Sequence, residues 1–120
     1  MPHSSKNYLL HILDETGYLL EHSQNLSQAS FLNDPTLKRS FVRSLEIIGE
    51  ATKHLSEDFR KDYPSVQWRR MAGMRDKLIH EYFGIDYSIV WDVIQTEILP
   101  LHQAIQKILN ELNSDTSLSQ

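Results

Sequence analysis

Within the stretch WRRMAGMRDKLIHEY, from Trp68 to Tyr82, the residues Arg75, His80 and Tyr82 stand at the spacing R-x4-H-x-Y. An arginine fork fits a phosphate, an imidazole exchanges protons near neutral pH, and a phenol offers a nucleophilic oxygen. No other window of the chain is so dense in groups that could do chemistry. On an ideal helix Arg75 and Tyr82 share a face, being about 20° apart, while His80 is turned by roughly 140° from Arg75 and flanks it. The turn-prone Tyr82-Phe83-Gly84 predicts that the helix unwinds there. A histidine near a helix carboxyl end also sits where the backbone dipole favours the imidazolium. On spacing alone the favoured reading is the plainer one, in which Arg75 is a solvated charge and His80 a helix cap.

Other site chemistries find less support. There is no cysteine, which removes disulfides, thiol nucleophiles and cysteine-bound zinc, and fits a reducing cytoplasm. His3, His11, His22, His54 and His102 are scattered without partners at ligand spacing, so no metal site is expected. No glycine-rich phosphate loop, dinucleotide fingerprint or defensible Ser-His-Asp order is present. Trp68 and Trp91 read as core or interface anchors rather than base-stacking platforms.

The elements that must hold the stretch are helical. Four Gly and four Pro leave little room for a sheet with its turns, and the apolar spacing is close to 3.6 almost throughout. A first helix is predicted from Ser4 or Ser5 to about Leu26, with Tyr8, Leu9, Ile12, Leu13, Thr16, Leu19 and Leu20 on one face. Gly17 inside it marks close packing, and Ser23 to Ser30 reads as a frayed end and loop. Asp34-Pro35 restarts the chain with a capping acid and a proline at the first helical position. Leu37, Phe41, Leu45, Ile48, Thr52, Leu55 and Phe59 then predict one long helix. Gly49-Glu50-Ala51 at its middle predicts the close approach of another helix, the alternative being that Glu50 orients a polar group of the site. Tyr63-Pro64 breaks the pattern. A shorter helix is expected from Val66 to about Tyr82–Gly84, then a long one capped by Asp86 and kinked at Pro100. One helical domain over 1–112 and a polar, disordered tail over 113–120 follow.

Composition is that of a soluble globular protein, 40% hydrophobic and 23% charged. No apolar run is long enough to span a bilayer and no leader pattern opens the chain, so an intracellular protein without membrane contact is expected. The net charge of -4 argues against indiscriminate nucleic-acid coating. Arg69, Arg70, Arg75 and Lys77 nevertheless form a local basic cluster, whereas Lys107 is the one basic residue after Asp86.

IGEATKHLSEDFRKDYPSVQWRRMAGMRDKLIHEYFGIDYSIVWDVIQTEILPL, about half the chain, resembles the HepT family of small HEPN-domain proteins. The shared landmarks are Gly49-Glu50-Ala51, Pro64, Trp68, Gly73-Met74-Arg75, His80, Tyr82, Ile85-Asp86, Val90-Trp91 and Leu99-Pro100. The resemblance implies an all-α fold, a HEPN-type antiparallel four-helix bundle with a short extra helical segment, assembled as a homodimer. It implies a cytoplasmic toxin that cleaves RNA without metal or cofactor, with Arg75 and His80 as the catalytic pair. Two protomers would bring two copies of each to one groove. The partner implied is an MntA-like nucleotidyltransferase antitoxin, which uses ATP to place AMP on Tyr82. Asp76 stands where the family often has Asn; with Glu50 it is a candidate supporting residue, and Arg69, Arg70 and Lys77 form the candidate RNA-binding patch. The other reading of the same resemblance is a non-catalytic helical module that serves a nucleotidyltransferase as its substrate-presenting partner.

Overall fold

A computed structural model describes residues 5–80 and 84–118, with side chains described at 5–78 and 84–114. The chain is all-α. In order its helices are α1 (Ser5–Ser23), α2 (Gln28–Leu32), α3 (Pro35–Lys53), α4 (Glu57–Lys61), α5 (Trp68–Ala72), α6 (Met74–Leu78), α7 (Tyr87–Thr96) and α8 (Ile98–Leu118). A two-residue antiparallel ladder joins α6 to α7, with β1 (Ile79–His80) facing β2 (Gly84–Ile85).

The long helices α1, α3, α7 and α8 form the bundle, α1 packing along both α3 and α8. Tyr8, early in α1, stacks on His54 at the end of α3, while Tyr18, late in α1, hydrogen-bonds Ser40 near the start of α3 at 2.9 Å, so the two helices are antiparallel. Leu9, Ile12, Leu19, Phe41, Leu45, Ile48, Val90, Ile98 and Ile105 are buried at the centre. Phe31 of α2 closes one end, stacked on Phe41 at 5.3 Å and tilted against Trp91 at 5.5 Å. Trp68 is a core anchor whose indole N–H donates to the Tyr63 carbonyl at 3.0 Å. No helix among the described residues is long and apolar enough to cross a membrane.

The predicted starts hold where cap chemistry sets them. Asp34 accepts from the Leu37 N–H at 3.0 Å, and Asp86 accepts from Ser88 and Ile89. Of the two small-residue readings the one at Gly49 holds, since a Cβ there would lie 3.2 Å from the Met71 carbonyl oxygen, whereas one on Gly17 would meet the His102 ring at an ordinary 3.6 Å.

Several boundaries differ from expectation. Part of the polar run after Ser23 forms α2, because Ser27 caps it by accepting from the Ser30 N–H. The helix expected to reach Phe59 stops at Lys53, and Ser56 caps a new one with Glu57 and Asp58 in its first turn. Leu55 and Phe59 still reach the core, which is why the spacing runs on across the break. The helix expected from Val66 begins at Trp68, is divided at Gly73 and ends at Leu78, where Asp86 returns a 3.0 Å bond from its N–H to the Leu78 carbonyl. Pro100 does not kink one helix; it lies in the first turn of α8, where a missing N–H costs nothing. The tail expected to be disordered is helical through Leu118, since extending a docked helix needs no new nucleus.

Candidate functional site

Arg75 is carried by α6, which the buried Met74 and Leu78 pin to the bundle. The small face at Gly49 lets α5 and α6 close on α3, so the position of Arg75 depends on that absent side chain. Its own side chain points outward, 63% exposed, and its Nε lies 3.4 Å from Oε2 of Glu46 on α3. With the arginine open to solvent and the Glu46 carboxylate only partly buried, at 29% exposed, the contact is partly screened and the guanidinium can leave it for a phosphate.

Two residues beyond α6, His80 pairs through its backbone with Gly84. Gly84 adopts φ +76°, a left-handed conformation that glycine takes without strain and that lets the chain reverse. The R-x4-H spacing thus crosses from a helical turn into a hairpin. The wheel geometry and dipole expected of a longer helix do not apply, since α6 has five residues and ends at Leu78. The His80 side chain and the whole of Tyr82 lie outside the described residues.

The basic cluster divides. Arg70 forks onto Glu97, its Nε 2.7 Å from Oε1 and its Nη2 donating to Oε2 at 3.1 Å, and Lys77 lies 3.9 Å from the same carboxylate. These contacts tie α5 and α6 to the α7–α8 junction. Arg69 lies on a surface shared with Glu57, Arg60, Lys61 and Trp68, and makes no ion pair among the described residues. Asp76 is exposed next to Arg75. Glu50 lies on the Arg75 side of α3, its Oε1 3.5 Å from the His54 Nε2.

Arg75 also lines a groove of about 360 Å³ between α1, α3 and α6, together with Tyr8, His11, Arg43, Glu46, Ile47, Glu50, Ala51 and His54. Sequence spacing dismissed His11 and His54, yet folding brings both to the arginine. The signal was present: Arg43, Glu46, Glu50 and His54 form a polar stripe down α3 beside its apolar one. Among the described residues no group of three His, Asp or Glu side chains is placed to hold a metal ion.

Residues 12–108, from the first turns of α1 to the middle of α8, match the family described as HepT-like, Ribonuclease HepT-like. The chain is 51% identical over 104 residues to "Putative RNase TTE0752" of Caldanaerobacter subterraneus subsp. tengcongensis, covering 87% of this chain and 93% of that protein. It is 38% identical over 108 residues to "Probable ribonuclease HepT" of Thermococcus cleftensis, covering 90% of this chain and 98% of that one. No solved structure matches it significantly. With most of its length matched in this way, the chain belongs to the HepT-like ribonuclease family.

Proposed function

We propose that this protein is a toxin of a toxin–antitoxin pair, an RNA endonuclease that acts as a homodimer without metal and uses Arg75 and His80 from both protomers. The observation that carries the reading is the outward-facing Arg75 on a braced turn, five residues from a histidine on a pinned hairpin.

RNA supplies its own nucleophile. The 2'-hydroxyl oxygen attacks the adjacent phosphorus while one His80 imidazole takes its proton. The bond from phosphorus to the 5'-oxygen breaks, and the second protomer's His80, protonated, gives that oxygen its proton. The products are a 2',3'-cyclic phosphate and a free 5'-hydroxyl. Arg75 leaves Glu46 for the phosphate and stabilises the charge that builds on its equatorial oxygens. Pairing two copies doubles the local positive charge, which answers the objection raised by a net charge of -4.

Tyr82 is the control point in this reading. An MntA-like nucleotidyltransferase directs the phenolic oxygen at the α-phosphorus of ATP; pyrophosphate leaves, the phenolic proton is released, and AMP remains on Tyr82. Its phosphodiester would compete with substrate for Arg75.

Expression of the wild type, Arg75→Ala and His80→Ala tests the assignment. The wild type should degrade RNA to 5'-hydroxyl fragments and both variants should lose this. A silent wild type, or variants equal to it, rejects the catalytic pair. Incubation with the partner and ATP should add AMP mass to the peptide holding Tyr82, and the addition should vanish in Tyr82→Phe.

A further inference from the structure

We propose that the groove between α1, α3 and α6 is a nucleotide subsite for single-stranded RNA, in which Arg43 and Arg75 bind the backbone and His54 stacks on a base. The inference rests on the ribonuclease reading and extends it to residues outside the R-x4-H-x-Y motif.

The shape fits first. A groove of about 360 Å³ falls in the range of small-ligand sites, about 300–1,000 Å³. Its lining includes the apolar Ile47 and the small Ala51, which leave room for a flat ring. His54 lies parallel to Tyr8, with ring centroids 5.0 Å apart and planes 8° from coplanar. With Glu50 3.5 Å from its Nε2, the imidazole is held from both the ring face and the edge. Such a braced aromatic surface is what a nucleobase stacks on without regard to sequence.

The charges fit next. Arg43 is exposed and makes no ion pair among the described residues, and Arg75, itself 63% exposed, has Glu46 as its one ion-pair partner among them. The two arginines therefore offer forks to a chain of phosphates along one groove. Glu46 and Glu50 offset them in the free protein and keep the groove from collecting anions indiscriminately. Because Arg75 belongs to both the groove and the proposed catalytic set, the base held by His54 is one that flanks the scissile phosphate. RNA would thus be held on each protomer by contacts that the motif alone does not supply.

The test uses the full-length protein carrying His80→Ala, which stops turnover, and a labelled single-stranded oligoribonucleotide of mixed sequence. Fluorescence anisotropy at several salt concentrations gives affinity and its salt slope. Adding His54→Ala should weaken binding about tenfold, as loss of one stacking platform does. His54→Phe should retain most of it. Adding Arg43→Gln should weaken binding and flatten the salt slope by about 0.7, one phosphate contact on a single strand. Lys107→Gln, on exposed α8, should change neither. If His80→Ala binds RNA and the added groove variants bind equally well, the subsite is wrong while the ribonuclease reading stands. If the wild type cleaves nothing and His80→Ala binds nothing, both readings fall. If the groove variants instead lower the molecular mass in solution, the groove is a contact between copies and the proposal is overturned.

Discussion

Glu46 and Arg75 meet across two helices, Oε2 to Nε at 3.4 Å, at the edge of the groove that α3 shares with α1 and α6. In the proposed reaction a substrate phosphate would displace this carboxylate. Replacing it with a neutral amide should therefore tighten RNA binding to the His80→Ala protein severalfold, most clearly at low salt. Because Arg75 is largely exposed and Glu46 partly so, Glu46→Gln should alter stability by less than about 1 kcal/mol. Anisotropy titration and urea denaturation check the two halves, and unchanged or weaker binding would show that Glu46 does not compete.

Gly49 sets how closely α5 and α6 approach α3. A Cβ there would already stand 3.2 Å from the Met71 carbonyl oxygen and 3.6 Å from that of Ala72. These are backbone atoms of a docked helix and cannot swing aside as a flexible side chain can. Gly49→Val should cost about 1–3 kcal/mol as overpacking. The same displacement moves Arg75, so RNA cleavage should fall by more than the loss of folded protein accounts for. Urea midpoints combined with specific activity decide this, and a fully active, equally stable variant would remove Gly49 from the argument.

The candidate basic patch should separate into two behaviours. Arg69 has no carboxylate partner among the described residues, whereas Arg70 forks onto Glu97, which is only 16% exposed. Arg69→Gln should leave stability unchanged and, if RNA passes over that surface, reduce the salt slope by about 0.7. Arg70→Gln should act instead on folding, lowering stability by up to about 1 kcal/mol because its own end of the bridge is half exposed. Equal effects of the two substitutions on binding would mean that Arg70 leaves Glu97 when RNA arrives.

What was legible in the sequence was what local chemistry decides. Asp34 and Asp86 mark helix starts because a side-chain oxygen meets nearby amide hydrogens, and both caps form. Gly49 signalled close packing and the backbone at Met71 does approach it, whereas Gly17, read the same way, has room for a Cβ at ordinary contact distance. Periodicity, however, reports which way a residue faces and not whether the chain between is continuous. Leu55 and Phe59 face the core from either side of a break, so the interruption at Ser56 left the pattern intact. The Ile79–Ile85 ladder is too short to have a period at all. The groove was hidden for a different reason: Tyr8, Arg43, His54 and Arg75 are distant in sequence and become neighbours only when three helices pack.

With His80 the one histidine of the R-x4-H-x-Y motif in each chain, the catalytic proposal depends on dimerisation, and this gives it a quantitative consequence. If one imidazole accepts the 2'-hydroxyl proton while its twin protonates the leaving oxygen, a dimer with a single His80 lacks one of the two steps. Wild type and His80→Ala protomers, denatured together in equal amounts and refolded, should distribute at random between dimers. About one quarter of the dimers then keep both imidazoles, so activity per total protein should fall to about a quarter rather than to about a half. Extending the titration to higher fractions of His80→Ala should trace the square of the wild-type fraction. A linear decline would show that each protomer completes the reaction with its own histidine, and the assignment of His80 as alternating acid and base across the dimer would have to be abandoned.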